Sequence, residues 1–457
     1  MGRPFPDIPL CGVSIEAKKQ TGKPGFCVID DIPFFETGMT MLACGLDFGT
    51  SNSAIGIARG RTPVLAPVEG ISTLLPSAVF FDYETRGRIL FGAEAIDTYI
   101  GQTEGRLMRA LKSILGSPLI DEKTALGYRQ VALTEVVEIF IRHLKARAEA
   151  FAGEEITAVV HGRPVRFVDD DSAADARAQR VLETIVHKAG FRDVAFVYEP
   201  IAAAWHYEET AAAEEIVLIA DIGGGTSDFS VIRIGPERRA RADRSGDILA
   251  NAGVRIGGTD FDSLLSLDAV MPLLGLGTDL ISKNLPMPKS LYFELATWST
   301  INFAYSRRNE REVKDLVADS RAPDKVSRLL KTLRQRLGHR IAFSVEDAKI
   351  ALSDRDAAPI ALAFIEPLLA ATATRAGFGR TIALKTERLT AIAGRCIADA
   401  GLRPEAVSTI FFTGGSSRVP AVRDAIAAAA PSARVAAGSD FLSVALGLTR
   451  EAQRRYR

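Results

Sequence analysis

The sequence predicts an α/β protein made of two halves with a common plan, and three observations predict it. An acid followed by a glycine-rich turn stands twice between strand-like apolar runs: Asp47-Phe48-Gly49-Thr50-Ser51-Asn52-Ser53 within 42–58, and Asp221-Ile222-Gly223-Gly224-Gly225-Thr226-Ser227-Asp228 within 216–234. Each turn is followed by strand-like and helix-like segments in alternation, the pattern of a sheet covered on its faces. The 457 residues are 47% apolar, which is ample for more than one core.

In the first half, 42–47 and 54–58 read as a strand pair about the first turn, and 77–82 and 88–92 as short strands. Helical spacing of apolar residues covers 105–115 and 133–151, and 156–160 is a β-branched run of the kind found in buried strands. An acidic first turn and Gly190 bound a helix over 171–190; a strand over 194–197 leads into a helix beginning near Glu199. The second half repeats the plan with strands at 216–221, 229–234 and 247–254, then a Gly257-Gly258-Thr259-Asp260 turn into a helix. From about 268 to 337 the chain is charged and helix-forming, which predicts a helical subdomain; its run Arg307-Arg308-Asn309-Glu310-Arg311-Glu312 reads as a solvated helix face. A strand at 409–413 and a helix from Phe441 close the fold. Residues 1–40 show no periodicity and read as a disordered extension or a misassigned start. The expected division is therefore 1–40, a first lobe over 41–214, a second over 215–447 containing the helical subdomain, and a helix end over 448–457.

Lys plus Arg and Asp plus Glu number 56 each, so no overall field favours nucleic acid or an anionic membrane, and neither is an expected partner. Cys11, Cys27, Cys44 and Cys396 are dispersed and form no Cys-x-x-Cys pair, which predicts a reducing, cytoplasmic setting. The longest apolar stretch, 357–373, is broken by Pro359, Glu366 and Pro367 and is too short to span a bilayer. His143, His161, His187, His206 and His339 have no metal-site spacing, and there is no Gly-x-Ser-x-Gly elbow. An acid at a strand end, followed by glycine and a hydroxyl residue, does suit a magnesium nucleotide: turn amides cradle phosphate oxygens while the carboxylate holds the metal or its waters. Either copy alone would pass for an ordinary hairpin turn; two matched copies point to the nucleotide.

Five motifs then carry a resemblance. They are Gly45-Leu46-Asp47-Phe48-Gly49-Thr50-Ser51-Asn52-Ser53, Tyr198-Glu199-Pro200-Ile201-Ala202-Ala203-Ala204, the Asp221 to Asp228 loop, Gly257-Gly258-Thr259-Asp260-Phe261-Asp262, and Phe412-Thr413-Gly414-Gly415-Ser416-Ser417-Arg418-Val419-Pro420. In this order the chain resembles the nucleotide-binding domain of the seventy-kilodalton heat-shock chaperones of DnaK type, within the actin and sugar-kinase superfamily. The resemblance implies an actin-like ATPase fold: duplicated ribonuclease-H-like lobes with an inserted helical subdomain. It implies ATP or ADP with Mg2+ as ligands, weak ATP hydrolysis, and a client protein or co-chaperone as partner. The sequence stops ten residues after Gly447, so no counterpart of the peptide-gripping domain is expected; the short YegD-like relatives share this plan. A sugar-kinase-type phosphotransferase, or an actin-like filament or reactivating protein, stays open as an alternative.

The resemblance also implies roles. Asp47 and Asp221 would hold Mg2+ largely through water. Gly49, Thr50, Ser51 and Asn52 would meet phosphates from one side, and Gly223, Gly224, Gly225 and Thr226, with Gly257 and Gly258, from the other. Lys112, in Ala110-Leu111-Lys112-Ser113-Ile114-Leu115-Gly116, would steady the terminal phosphate, and Glu199 and Asp228 would orient or deprotonate the attacking water. Gly414, Gly415, Ser416 and Arg418 would contact adenosine, and Glu346, Lys349 and Ser353 would face them from a helix. The pattern departs from the family at Ile350, where an arginine usually packs on adenine, in the length of 268–337, and at Asp440-Phe441-Leu442-Ser443-Val444-Ala445, which follows the last family motif loosely.

Overall fold

A computed structural model of the chain describes residues 42–456 apart from 61, 86, 102, 127–128, 240, 242–243, 283–284 and 438–441. The extension expected over 1–40, and Asp440 and Phe441 at the expected start of the last helix, lie outside the described residues.

Two sheets repeat one order of connections. The first runs Asp193–Tyr198, Ala158–Arg163, Ala43–Phe48, Asn52–Ile57, Val64–Leu65, with Leu75–Pro76 also paired to Asn52–Ile57. The second runs Arg434–Ala437, Thr409–Thr413, Glu215–Ile222, Ser227–Ile234, Ile248–Val254. In each, two later strands lie parallel on one side of the first hairpin strand, and two antiparallel strands lie on the other. The repeated hairpin of the sequence is therefore the start of a repeated sheet. From Val217 to Ile222 every residue is buried, so the run is continuously apolar up to its acid instead of alternating, as expected of a strand covered on both faces.

Between the sheets lies an apolar layer. Ala43 and Val160 of the first sheet and Val217, Ile219 and Phe411 of the second contribute to it, together with the helices Glu199–Tyr207 and Ser443–Arg455. These helices meet backbone to backbone: a Cβ on Gly447 would sit inside the van der Waals radius of Ala202 O. Gly45 plays the same part on the sheet, where a Cβ would collide with the Thr449 amide nitrogen.

The covering helices follow their apolar stripes. In Leu133–Ala152 the buried positions Leu133, Val136, Val137, Phe140, Ile141, Leu144 and Ala148 fall at three- and four-residue spacing, and Gly153 stops the helix at a φ of +76°. Asp171 caps Ser172–Lys188 by accepting from the Ala173 and Ala174 amides at 3.0 and 2.9 Å.

One predicted helix is corrected. Over 105–115 the structure has a strand, Gly105–Arg109, and a 3-10 turn, Leu111–Ile114. The strand pairs antiparallel with Ala78–Asp82, and Gly105 packs so closely on Phe80 and Phe81 that a side chain there would clash. Sheet pairing with a distant segment overrides the weak helical spacing of this short run. Helices Ser290–Ala296, Ile301–Ala304, Arg307–Asp319 and Pro323–Arg334 fill most of 268–337. The expected solvated face is present: Arg308 pairs with Glu312 at 2.7 Å, their side chains 85% and 56% exposed. The reading omits the helix Gly92–Ile100 and the hairpin Ala357–Ala361 with Ala370–Thr374. No helix among the described residues is long and apolar enough to cross a membrane.

Candidate functional site

Asp47 and Asp221 occupy the same place in the two sheets, near the end of the first hairpin strand, opposite Ala54 and Asp228 respectively. Both line one cavity of about 200 Å³. The first turn is held from outside: Ser77 Oγ donates to Gly49 O at 2.7 Å, and the Ser77 amide donates to Ser51 O at 2.8 Å. The second turn is tied to itself by the Gly223 amide on Thr226 O at 2.9 Å. It is buttressed by Ser416 Oγ and the Gly258 amide, both on Gly223 O, at 2.9 and 3.0 Å. A Cβ on Gly224 would strike Ser51 Oγ and press on Thr50 Cβ, so the two turn tips lie in close contact.

Beneath the turns, Lys112 Nζ donates to Glu199 Oε1 in an ion pair whose side chains are 6% and 7% exposed. Asp47, Asp221 and Asp228 surround this pair, so four carboxylates share one ammonium. Burial first and Glu199 second push Asp47 up to about 7. Burial, Glu199 and Asp47 push Asp221 up to about 8. Burial, Glu199 and Asp221 hold Asp228 well above the carboxylate range. Burial pulls Lys112 down, but Glu199 and Asp47 outweigh it and keep the ammonium above its ordinary value. Acids crowded into partial neutrality around an open cavity fit a divalent cation, which would restore their charge. Among the described residues no three or more His, Cys, Asp or Glu are grouped to hold a metal directly. Mg2+ held by one or two carboxylates, waters and phosphate oxygens matches that donor set.

On the far wall, the strand Thr409–Thr413 brings Thr413 opposite Asp221 and turns at Gly414. The φ of +79° there, and the nearness of Ile222 O, admit no side chain. Helix Gly338–Ala351 and the residues after it bring Glu346, Lys349, Ile350 and Ser353 to the cavity. Glu346 accepts two hydrogen bonds from Arg109, at 2.8 and 3.2 Å, and the guanidinium lies over Trp298 and Phe343, 4.9 and 5.1 Å from the ring centroids. Burial raises the Glu346 acid, but Arg109 outweighs it and holds the group below its ordinary range. Lys349 pairs with Asp262 at 2.8 Å, and Arg418 stands 3.7 Å from Asp354.

Most of the expected residues therefore meet: Asp47, Gly49, Thr50, Ser51, Asn52, Lys112, Glu199, Asp221, Gly223, Gly224, Thr226, Glu346, Lys349, Ser353, Gly414, Gly415, Ser416 and Arg418 line one cavity. Asp228, Gly225, Gly257 and Gly258 do not line it. Asp228 lies behind the wall, 1% exposed, accepting from the Val165 amide at 2.6 Å. Gly257 and Gly258 pack under the second turn, where a Cβ would strike Gly224 and Ser416 respectively. Ile350, 57% exposed, lines the cavity at the departure noted in the sequence. Sequence reasoning missed Arg109, whose partner is 237 positions away, and Val444, which reaches the cavity from the last helix.

Residues 117–270 and 324–435 match the family model of the Hsp70 protein, more than half of the chain. The chain belongs to the Hsp70 family. Hsp70 proteins have an actin-like ATPase fold and bind ATP or ADP, generally with Mg2+; they typically bind client proteins or co-chaperones. The match includes Glu199, the Asp221 turn, Glu346 and the Gly414 turn, whereas Asp47, the first turn and Lys112 precede it. The fold nevertheless brings them to the same cavity as the matched residues. The two matched stretches are separated by 271–323, which contains the helices Ser290–Ala296, Ile301–Ala304 and Arg307–Asp319.

The crowded acids of this Hsp70-family chain predict a pH signature. The ordinary value for Asp47 and Asp221 is 3.8, and folding raises them to about 7 and about 8. Between these limits the unfolded chain binds fewer protons than the folded one, so their contribution to stability falls as pH rises from about 4 to about 8. His161 and His339, lowered by burial from 6.5 to about 4 and about 3, act in the opposite sense below pH 6.5. The difference between wild type and Asp221→Asn isolates the acid. The unfolding temperature of wild type will fall relative to the variant from pH 5 to pH 8.5, and a pH-independent difference would contradict the assignment.

Proposed function

We propose that the chain is an Hsp70-family switch ATPase that binds Mg-ATP, hydrolyses it slowly, and passes the resulting closure of its halves to a partner protein. The observation that supports this best is the meeting of the two turn tips above Asp47, Asp221 and the Lys112–Glu199 pair. Phosphoryl transfer asks mainly for positioning and neutralised charge, and these residues offer both. When bound, Mg2+ supplies positive charge against the phosphate oxygens. Lys112 keeps its proton and faces the same charge. Glu199, held by Lys112, orients the attacking water and takes its proton as the water oxygen bonds to the terminal phosphorus and the bond to the bridging oxygen breaks. Asp228, behind the wall, holds the Val165 amide and fixes the second turn's strand.

In this reading 41–214 and 215–447 are the lobes, 268–337 a helical subdomain, and the subtype is YegD-like. The interruption of the family match at 271–323 is in keeping with an insertion there. The cytoplasm is the proposed location, in keeping with the free, buried thiols of Cys44 and Cys396. Client proteins or co-chaperones are the proposed partners.

Calorimetry with Mg-ATP, paired with single-turnover hydrolysis on wild type and Asp221→Ala, tests the proposal. Binding with slow turnover that the variant loses is the expected result. Absence of binding by wild type would reduce the site to a scaffold, and turnover stimulated by a small hydroxylated substrate would favour a kinase.

A further inference from the structure

A second cavity lies at the far ends of the two packed helices. In Glu199–Tyr207, Glu199 lines the first cavity and Trp205 the second; in Ser443–Arg455, Val444 lines the first and Arg450 the second. The second cavity, of about 190 Å³, is nearly as large as the first. Five guanidinium groups line it, those of Arg239, Arg241, Arg244, Arg450 and Arg454.

The carboxylates that share this wall are already engaged. Glu208 takes two hydrogen bonds from Arg244, at 2.9 and 2.8 Å, and Glu451 takes two from Arg454, both at 2.7 Å. Arg450 pairs with Glu209, yet its Nε is buried and meets no acceptor among the described residues. Trp205 Nε1 is buried and unmatched in the same way. Neither Arg239 nor Arg241 has a carboxylate within ion-pair distance among the described residues. Five arginines against two glutamates that are already paired leave the wall of the cavity with surplus positive charge. Indole N–H and guanidinium groups only donate. A small group with several anionic oxygens would offset that charge, and phosphoryl oxygens match the guanidinium fork.

We propose that this cavity binds a small phosphorylated compound, at a site separate from the first cavity. The inference does not depend on the nucleotide reading. The chain contains two tryptophans, so Trp298→Phe leaves Trp205 as the sole indole reporter inside the pocket. Inorganic pyrophosphate, titrated in the presence of saturating Mg-ADP, is the probe. A saturable change in Trp205 emission is expected, weakened about tenfold or more in Arg239→Ala/Arg241→Ala, as loss of charged hydrogen bonds implies. Among the described residues that double variant breaks no ion pair, its thermal unfolding checks that it is folded, and it distinguishes this pocket from the first cavity whether or not Mg-ADP binds. No saturable change, an affinity untouched by the double variant, or an equal response to sodium chloride at matched ionic strength would each overturn the proposal.

Discussion

Lys112→Ala will lower single-turnover hydrolysis of Mg-ATP about a hundredfold, the usual cost of removing one preorganised charge from a phosphoryl-transfer site. The same substitution will destabilise the nucleotide-free protein by about 3–5 kcal/mol, because breaking a buried pair leaves an uncompensated charge behind. Here the effect falls on Glu199, 5% exposed and already among three other acids. The two effects are separable. Lys112→Arg retains a cation beside Glu199 and will recover most of the stability, but its longer, planar head will not restore the turnover. Rapid-quench kinetics and denaturant unfolding on the three proteins decide the matter. Normal turnover in Lys112→Ala would take Lys112 out of the site, and normal stability would show that Glu199 finds another partner.

Gly447→Ala brings an added methyl closer to a fixed atom than at any other described glycine, and will have a large structural effect. The new Cβ falls on Ala202 O, a backbone atom of the neighbouring helix that cannot rotate away. The helices must part, which opens the apolar layer around Ala202, Val444 and Leu448 and costs roughly 1–3 kcal/mol or more. Nucleotide affinity will fall with it, since Glu199 and Val444 are carried by these two helices. Gly394→Ala is the matched control: it sits within helix Ala383–Asp399, its added Cβ meets nothing, and it will stabilise the protein by about 0.5–1 kcal/mol. Equal melting temperatures for the two variants would refute the backbone-to-backbone packing.

What could be read in the sequence follows how far apart the interacting residues lie. The paired turns, the Glu199 helix and the Gly414 turn each announce themselves within about ten residues, through glycine, acid and strand-like runs. The 105–115 segment misleads because its strand is defined by Ala78–Asp82, which no local period reveals. The hairpin Ala357–Ala361 with Ala370–Thr374 is hidden because Pro359 and Pro367 resemble breaks. At the site, Glu346 and Lys349 are in place, but their pairing with Arg109 and Asp262 depends on contacts across 237 and 87 positions. Asp228 has the right residue type in the right motif, yet strand register turns it toward Val165 and away from the cavity.

The seating of the helix Ser443–Arg455 on Gly45 has a consequence for biosynthesis. The Gln453 side-chain amide reaches back to Arg59 O across 394 positions, so the first sheet receives its cover only after nearly all of the described chain has been made. Until then the first strands stand with a bare apolar face. Such late, long-range closure slows folding and leaves nascent chains prone to association. The chain is therefore slow to close on itself: its first strands stay uncovered until the last helix arrives.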